Sequence, residues 1–516
     1  MNPDFSKHWD KLKKQANNQS IKDIQAHFAD DSNRTQSLSF ETHDVFVDFS
    51  KNWITPAIFS QLISLAHEAG LKNKITALFA GDTINSSEKK PAAHTAQRKT
   101  HASSCIQADR EKMLKVAQNY RQGIYKTAFG KKVKTIINIG IGGSYLGPKL
   151  AVMALSNIQT TNDIKVLFYP SVDDAALTYL LQNSDLTQTL FCVSSKSLGT
   201  IETLTNTKTI LHLLKALPHY QPDEKNQSFV VATTNFKKAK ELSIPETHIL
   251  PFDADTGGRF SVWSSIGFPV LMAIGTEQFL DFLAGAEKMD DHFQQTEFQK
   301  NMPVLMALLS IWYRNFLDLP AYAIIPYDVR LKNLPAWLQQ LMMESNGKMV
   351  DKNGETLDIS TSPWVFGDHG QLSQHAFFQT FHQGNDILPI DFIGVLEKDS
   401  NNQNFLLINM LAQSAALMNG NETQNKQNLC PGNRPSTTIL LKDLSPHSLG
   451  QLLALYEHMI FVQSVIWNIN CFDQPGVELG KNIAKSIVTH LKDNTLGEVE
   501  LDNSTKQLLK RVLNRE

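Results

Sequence analysis

The stretch VKTIINIGIGGSYLGPKLA, residues 133–151, decides the fold. Seven residues rich in β-branched side chains, Val133–Ile139, run straight into a glycine-rich turn, and the residues after the turn read as a helix. A strand that enters a helix through a bare turn opens a βαβ unit. The turn is not a dinucleotide fingerprint, because the third glycine of GxGxxG would fall at Tyr145. Nor is it a P-loop, because Pro148 stands where the lysine belongs. It offers backbone that a ligand can approach, with free N–H groups at a helix start. A turn that serves only helix–sheet packing accounts for it equally well.

Outward from this unit the pattern repeats. Ile164–Tyr169, Thr189–Ser194, Phe229–Thr234 and His248–Pro251 are further strand candidates, with helix-length segments between them. A second series, Tyr322–Pro326, Ile387–Ile393 and Ser436–Leu441, has the same rhythm, so the chain is read as α/β with two parallel-sheet lobes. Ser445 and Pro446 cap and start a helix that runs through LGQLLALYEHMIFVQSVIWNI, long enough to be a central element. Residues 1 to about 115 read as helical and polar, with a hairpin where SLSFETHDVFVDFS alternates. The expected organisation is an N-terminal helical arm (1–115) on the large lobe, a first lobe (116–285), a second, larger lobe (286–490) and a helical tail (491–516). An Asn/Gln-rich patch near 419–428 is the one biased tract.

Composition excludes several classes. The chain has 516 residues, 42% apolar and 19% charged, which suits a globular protein of two or three lobes. Forty-nine basic against fifty-one acidic residues give no electrostatic reason to bind nucleic acid or an anionic membrane. Four scattered cysteines, at 105, 192, 430 and 471, suggest neither a disulfide framework nor a zinc site. The polar N-terminus MNPDFSKHWDKLKKQ is no signal peptide, and the apolar run Val304–Tyr313 is half a membrane span. The expectation is a soluble, cytoplasmic protein.

Chemistry concentrates in a few segments. Ser195-Lys196-Ser197-Leu198-Gly199-Thr200 comes after a strand and opens a helix. Three hydroxyls, an ammonium and a positive helix end make a phosphate clamp, although a capped Ser/Thr loop is the plainer reading. Asp255-Thr-Gly-Gly-Arg259 aims a fixed cation from a turn that Gly258 keeps open; a surface arginine is the alternative. Leu334–Asn346 reads as a helix with Gln340 and Glu344 on one face. The last turn of a helix disfavours negative charge at Glu344, which is the direction a general base working near neutral pH needs, although an exposed helical glutamate is the plainer reading. His375 and His382 lie seven apart, nearly on one helical face, without metal-ligand spacing around them. Phe472-Asp-Gln474-Pro-Gly-Val-Glu-Leu-Gly-Lys481 pairs a glutamine and a lysine in what is otherwise a helix entrance.

In this order, the segments GIGGS–LGP, SSKS–T–ET, GGRFS–WS–IG, MESNGK, GQ–QHAF–Q–FHQG, ALYEHMIFVQSVIWNIN and FDQPGVELGK resemble the glucose-6-phosphate isomerase (phosphoglucose isomerase) family, as does the earlier INSSEKKPAAHTAQR. The resemblance runs from about residue 80 to 485. It implies two sugar-isomerase (SIS) lobes of flavodoxin-like, doubly wound topology and reversible conversion of glucose 6-phosphate to fructose 6-phosphate, with neither metal nor organic cofactor. It implies a homodimer whose sites lie at the interface, with His375 supplied across it. Carried over by position, Ser195, Lys196, Ser197 and Thr200 hold phosphate, with Gly143 and Ser144 lining the pocket. Glu344 moves the proton, Arg259 beside Gly258 steadies the enediolate, His375 and Lys481 serve ring opening, and Gln340 and Gln474 orient hydroxyls. Tyr145, Ser197, Leu198, Gly199, Ile201 and Pro475 depart from the family's usual residues, which bears on affinity rather than on the reaction.

Three other readings have distinct requirements. An isomerase that also takes mannose 6-phosphate would differ only in assay. A non-catalytic SIS-type regulator would need the reacting residues lost, and they stand. An amidotransferase of this class would need a cysteine nucleophile where Asn2 stands.

Overall fold

The computed structural model describes residues 3–158, 164–397, 400–421, 423–493 and 499–513. The chain divides into two units, Met1–Phe472 and Asp473–Glu516.

The first unit holds two sheets. Strands β1 (Ser39–Glu41), β2 (Val45–Asp48), β3 (Thr135–Ile139), β4 (Lys165–Phe168), β5 (Thr189–Ser194), β6 (Phe229–Ala232), β7 (Ile249–Leu250), β8 (Ala321–Pro326), β9 (Trp364–Phe366), β10 (Ile390–Val395) and β11 (Ser436–Leu441) succeed one another in chain order. One sheet has the order β4-β3-β5-β6-β7 and is parallel throughout. Every residue of β3, β5 and β6 is buried, as strands covered by helices on both faces require. Taken in chain order the arrangement is 2-1-3-4-5, the flavodoxin-like doubly wound order. The other sheet, β1-β2-β11-β10-β8-β9, repeats the 2-1-3-4 part with its four parallel strands.

The predicted hairpin forms: β1 and β2 pair antiparallel, Phe40 opposite Val47. Its role goes beyond the prediction. β2 lies antiparallel against β11, Ile439 opposite Val47, so the N-terminal segment completes the edge of the second sheet. Val45 and Val47 point into the core while the intervening residues are partly exposed, the period-2 pattern that fixes the register.

The helix Pro446–Ile466 is central, as its sequence implied. The Ser445 hydroxyl accepts from Ser448 N at 3.2 Å, Pro446 starts the helix, and the helix is long and apolar enough to cross a membrane. Here every residue of it but the half-buried His447 is buried in protein. It crosses the helix Thr276–Gln295 at two glycines. A Cβ on Gly285 would lie 2.0 Å from the His447 carbonyl oxygen, and one on Gly450 would lie 2.2 Å from that of Phe282, so only hydrogen lets the backbones meet. Beside the crossing sits a buried charge network. Arg98 donates to Asp290 from Nε at 2.9 Å and from Nη2 at 2.5 Å, and also pairs with Glu457. Trp263 Nε1 donates to Glu457 at 2.9 Å, and His458 Nε2 meets Asp290 at 2.7 Å. Burial pushes His458 down, in the direction that keeps it neutral.

Candidate active site

The first sheet reverses its winding between β3 and β5, and ligands of open α/β sheets bind outside the carboxyl ends of strands at that reversal. Both loops singled out from the sequence emerge there. After β3, Gly142 takes φ +58 and ψ −127, open only to glycine, and the helix Gly143–Ala154 begins. After β5 comes Ser195–Thr200, then the helix Ile201–Ala216. Asn138 joins the loops: its Nδ2 donates to the Ser144 carbonyl at 2.9 Å and its Oδ1 accepts from Ser194 Oγ at 2.6 Å.

The Ser195–Thr200 loop is anchored by its backbone, which frees its side chains. The Lys196 carbonyl accepts from both the Thr233 and Thr234 hydroxyls at 2.9 Å, and Lys238 Nζ donates to the Leu198 carbonyl at 3.2 Å. Leu198 is held at φ +46, an uncommon conformation for a leucine. The hydroxyls of Ser195, Ser197 and Thr200 make no hydrogen bond to a described residue, and Thr200 does not cap the helix it precedes. Burial pushes the Lys196 ammonium down, Lys90 adds to that, and Glu88 and Asp255 oppose it. The hydroxyls and the ammonium belong to the loop that leads into the helix Ile201–Ala216, a set whose chemistry suits an anion.

Arg259, 4% exposed, sits in the turn Gly258–Phe260. It donates from Nη1 to Glu344 Oε1 at 2.8 Å, from Nε to Ser345 Oγ at 2.6 Å and from Nη2 to the Cys471 carbonyl at 2.5 Å. The other carboxylate oxygen, Oε2, accepts from Gln340 Nε2 at 3.0 Å, and Gln340 Oε1 is buried with no hydrogen-bond partner among the described residues. Two close approaches seat this cluster on the β3 turn. A Cβ on Gly143 would lie 2.1 Å from the Gly258 carbonyl oxygen, and one on Gly142 would lie 3.1 Å from Gln340 Nε2. Gly142, Gly143, Gly258, Arg259, Gln340 and Glu344 thus form one constellation.

The segment carrying Gln340 and Glu344 is not the plain α-helix expected from its sequence: Leu334–Leu338 gives way to a π-helical turn, Gln339–Glu344, before Ser345. Such turns are rare and concentrate at functional sites. Glu344 also has a partner that a helix end alone does not foretell, because a guanidinium lies on the carboxylate. Nor is there one helix over 370–383. Gly370–Gln374 and Phe378–Gln383 are separate, broken where Phe377 and Phe378 turn into a ring cluster with Phe381, so His375 and His382 share no face. His382 Nε2 contacts Gln413 Oε1 at 3.0 Å; His375 is exposed, and its ring makes no hydrogen bond to a described residue.

Gln474 and Lys481 belong to the second unit. Gln474 precedes the turn Pro475–Val477, and Lys481, on the helix Glu478–Lys492, donates to Glu478 Oε1 at 3.0 Å. Several contributors went unread in the sequence: Ser345, the Cys471 carbonyl, Asn138, Lys238, and the Glu88–Lys90 pair at 2.7 Å. Ser345, next to Glu344, could have been read; a main-chain carbonyl carries no residue signature. Among the described residues no group of three or more His, Cys, Asp or Glu could hold a metal ion.

A doubly wound α/β lobe with a hydroxyl-rich loop at its switch point, a buried arginine and a carboxylate defines an α/β protein equipped to hold a small anionic ligand. The chain matches the family model of phosphoglucose isomerase over residues 48–509, and it belongs to that family. It is 42% identical to glucose-6-phosphate isomerase 1 of Chromohalobacter salexigens over 505 residues, covering 95% of this chain and 91% of the relative. It is 42% identical to glucose-6-phosphate isomerase of Francisella tularensis subsp. tularensis (strain FSC 198) over 541 residues, 98% of this chain and 99% of that one. The crystal structure of a glucose-6-phosphate isomerase from Chlamydia trachomatis superposes with a TM-score of 0.87 at 30% identity, covering 98% of both chains.

Proposed function

We propose that this chain interconverts D-glucose 6-phosphate and D-fructose 6-phosphate, the isomerase step shared by glycolysis and gluconeogenesis. The observation that carries the reading is the Glu344 carboxylate, held at one oxygen by Arg259 and at the other by Gln340, against the glycine turn that follows β3. The phosphate sits on Ser195, Lys196, Ser197 and Thr200, with Gly143 and Ser144 at its side. That grip on a non-reacting group fixes the distance to the sugar carbons. Glu344 takes the proton from C2 of the open-chain aldose and returns it to C1, while the C2 hydroxyl proton passes to the C1 oxygen, and the reverse reaction runs through the same atoms. Between the two transfers the enediolate oxygen carries charge that Arg259, always protonated and already immobilised by three acceptors, offsets without reorganising. Gln340 and Gln474 orient sugar hydroxyls.

Ring opening precedes this and needs one proton delivered to the ring oxygen and one removed from the C1 hydroxyl. We assign these to Lys481 and to the partner subunit's His375 in a cytoplasmic homodimer. The exposed His375 ring, with no described residue bonded to it, suits a group that serves a neighbouring copy. The scheme uses no metal and no organic cofactor.

The test is coupled-assay turnover of fructose 6-phosphate by wild type and by Glu344→Gln, each with and without EDTA. Loss of the base should lower kcat roughly 10²–10⁴-fold, and EDTA should leave the wild type unchanged. An active Glu344→Gln would move the base to another group.

A further inference from the structure

Next to the Cys471 carbonyl that holds Arg259 lies a cavity of about 140 Å³. That is far more than the roughly 10–15 Å³ one water needs. Two lysines, Lys74 and Lys352, line it with the polar Thr83, Ser86, Ser464 and Asn470, beside Cys471 and over an apolar floor that includes the end of the helix Pro446–Ile466. Among the described residues no carboxylate lines it. Asp351, beside Lys352 in the chain, is turned into its own loop: it accepts from the backbone of Asn353 at 2.7 Å and of Glu355 at 3.0 Å, and from Asn468 Nδ2 at 3.0 Å. Neither lysine makes a side-chain hydrogen bond or ion pair with a described residue.

Two cations share a half-enclosed space with no counter-charge among the described residues that line it. Burial pushes the Lys352 ammonium down; the neighbouring Cys471 opposes this, and Lys74 adds to it by like charge. A bound anion would relieve both effects, and the Thr83 and Ser86 hydroxyls, which donate to no described residue, can turn to its oxygens. The cavity also touches both arms of the candidate active site. Cys471 carries the carbonyl that fixes Arg259. Asn470 Nδ2 donates to Asn85 Oδ1 at 2.9 Å and to Ser87 Oγ at 2.8 Å, in the segment whose Glu88 and Lys90 stand against Lys196.

We propose that this cavity is a second anion site, for a phosphate group either free or on a small metabolite, whose occupancy is felt at Arg259 through the Asn470–Cys471 backbone. The binding claim is independent of the isomerase assignment, and only the effect on turnover rests on it.

The test uses the full chain. Lys196→Ala weakens phosphate at the Ser195–Thr200 loop, and calorimetric titration with inorganic phosphate then reads what remains. One site should persist, and it should weaken roughly tenfold for each of Lys352→Met and Lys74→Gln, the loss expected for one charge-assisted hydrogen bond. Lys74 is exposed, so its variant reports even if Lys352→Met fails to fold. Glycerol 3-phosphate, titrated in parallel, should bind more tightly than phosphate if an ester is the ligand and no more tightly if free phosphate is. In turnover assays with Lys196 intact, phosphate should inhibit the wild type with both kcat and KM changed, and the Lys74→Gln/Lys352→Met pair by KM alone, its phosphate-free constants unaltered. No residual site in Lys196→Ala, or one that neither lysine variant weakens, would overturn the proposal.

Discussion

Gly143→Ala adds one methyl group at the point where two loops of the candidate active site meet. Its Cβ would fall 2.1 Å from the Gly258 carbonyl oxygen, 2.2 Å from the Gly258 carbonyl carbon and 2.5 Å from Arg259 N, all backbone atoms that no rotamer change can move. Ordinary contact begins near 3.4 Å, so the turns must part by about 1.3 Å. Overpacking of this kind costs about 1–3 kcal/mol of stability, a fall of a few degrees in melting temperature for a chain this long. The functional loss should be larger in proportion. Arg259 comes directly after Gly258, and displacing a charge-stabilising group by about 1 Å costs on the order of 100-fold in rate, or about 2.7 kcal/mol of barrier. The assay is the coupled isomerase reaction, with kcat and KM fitted separately and calorimetric melting run on the same preparation. Because the displaced group acts on developing charge, kcat should carry most of the loss and KM little. A Gly143→Ala chain with wild-type kcat and melting temperature would refute the claim that this contact sets the position of Arg259.

Two further predictions concern the core. Arg98→Met leaves Asp290 and Glu457 buried without their cation, and a pair broken on one side costs about 3–5 kcal/mol; a urea midpoint shifted by less than about 1 kcal/mol equivalent would mean the carboxylates find other partners. Asp391, buried, accepts from the Tyr322 and Tyr456 hydroxyls at 2.8 Å each, and burial pushes its carboxyl up to about 7. The folded chain therefore keeps a proton that the unfolded chain releases near pH 4, so this group's contribution to stability falls as pH rises from about 4 to about 7 and is flat above. Asp391→Asn should remove that slope between urea melts at pH 5 and pH 8, and an unchanged slope would place its origin elsewhere.

The strands of both lobes were legible because buried β-branched runs bounded by turns are strong local signals, and β3, β5, β6, β10 and β11 appear within a few residues of their predicted bounds. β9 was not, since it is three residues long and begins with Trp364, 67% exposed, so it reads as loop. The hairpin of β1 and β2 was legible as a hairpin, but nothing local says that β2 seeks β11. At the candidate site, Arg259, Glu344 and Gln340 could be named from the sequence because each side chain carries its own chemistry. The π-turn that presents two of them is a tertiary outcome, and the acceptors that immobilise the arginine, a hydroxyl and a carbonyl, belong to residues with no visible reason to be chosen.

The N-terminal hairpin has a consequence for synthesis. Asp48 pairs with Thr438, so β2 leaves the ribosome about 390 residues before its partner exists. Throughout elongation β2 is an open strand edge, and the second sheet cannot close until β11 has emerged. The first lobe, whose strands lie between residues 135 and 250, can settle while the second waits. A stall or truncation before β11 therefore strands a finished lobe beside an unpaired edge, and chaperone dependence and aggregation of nascent chains should rise at that length rather than uniformly along the chain.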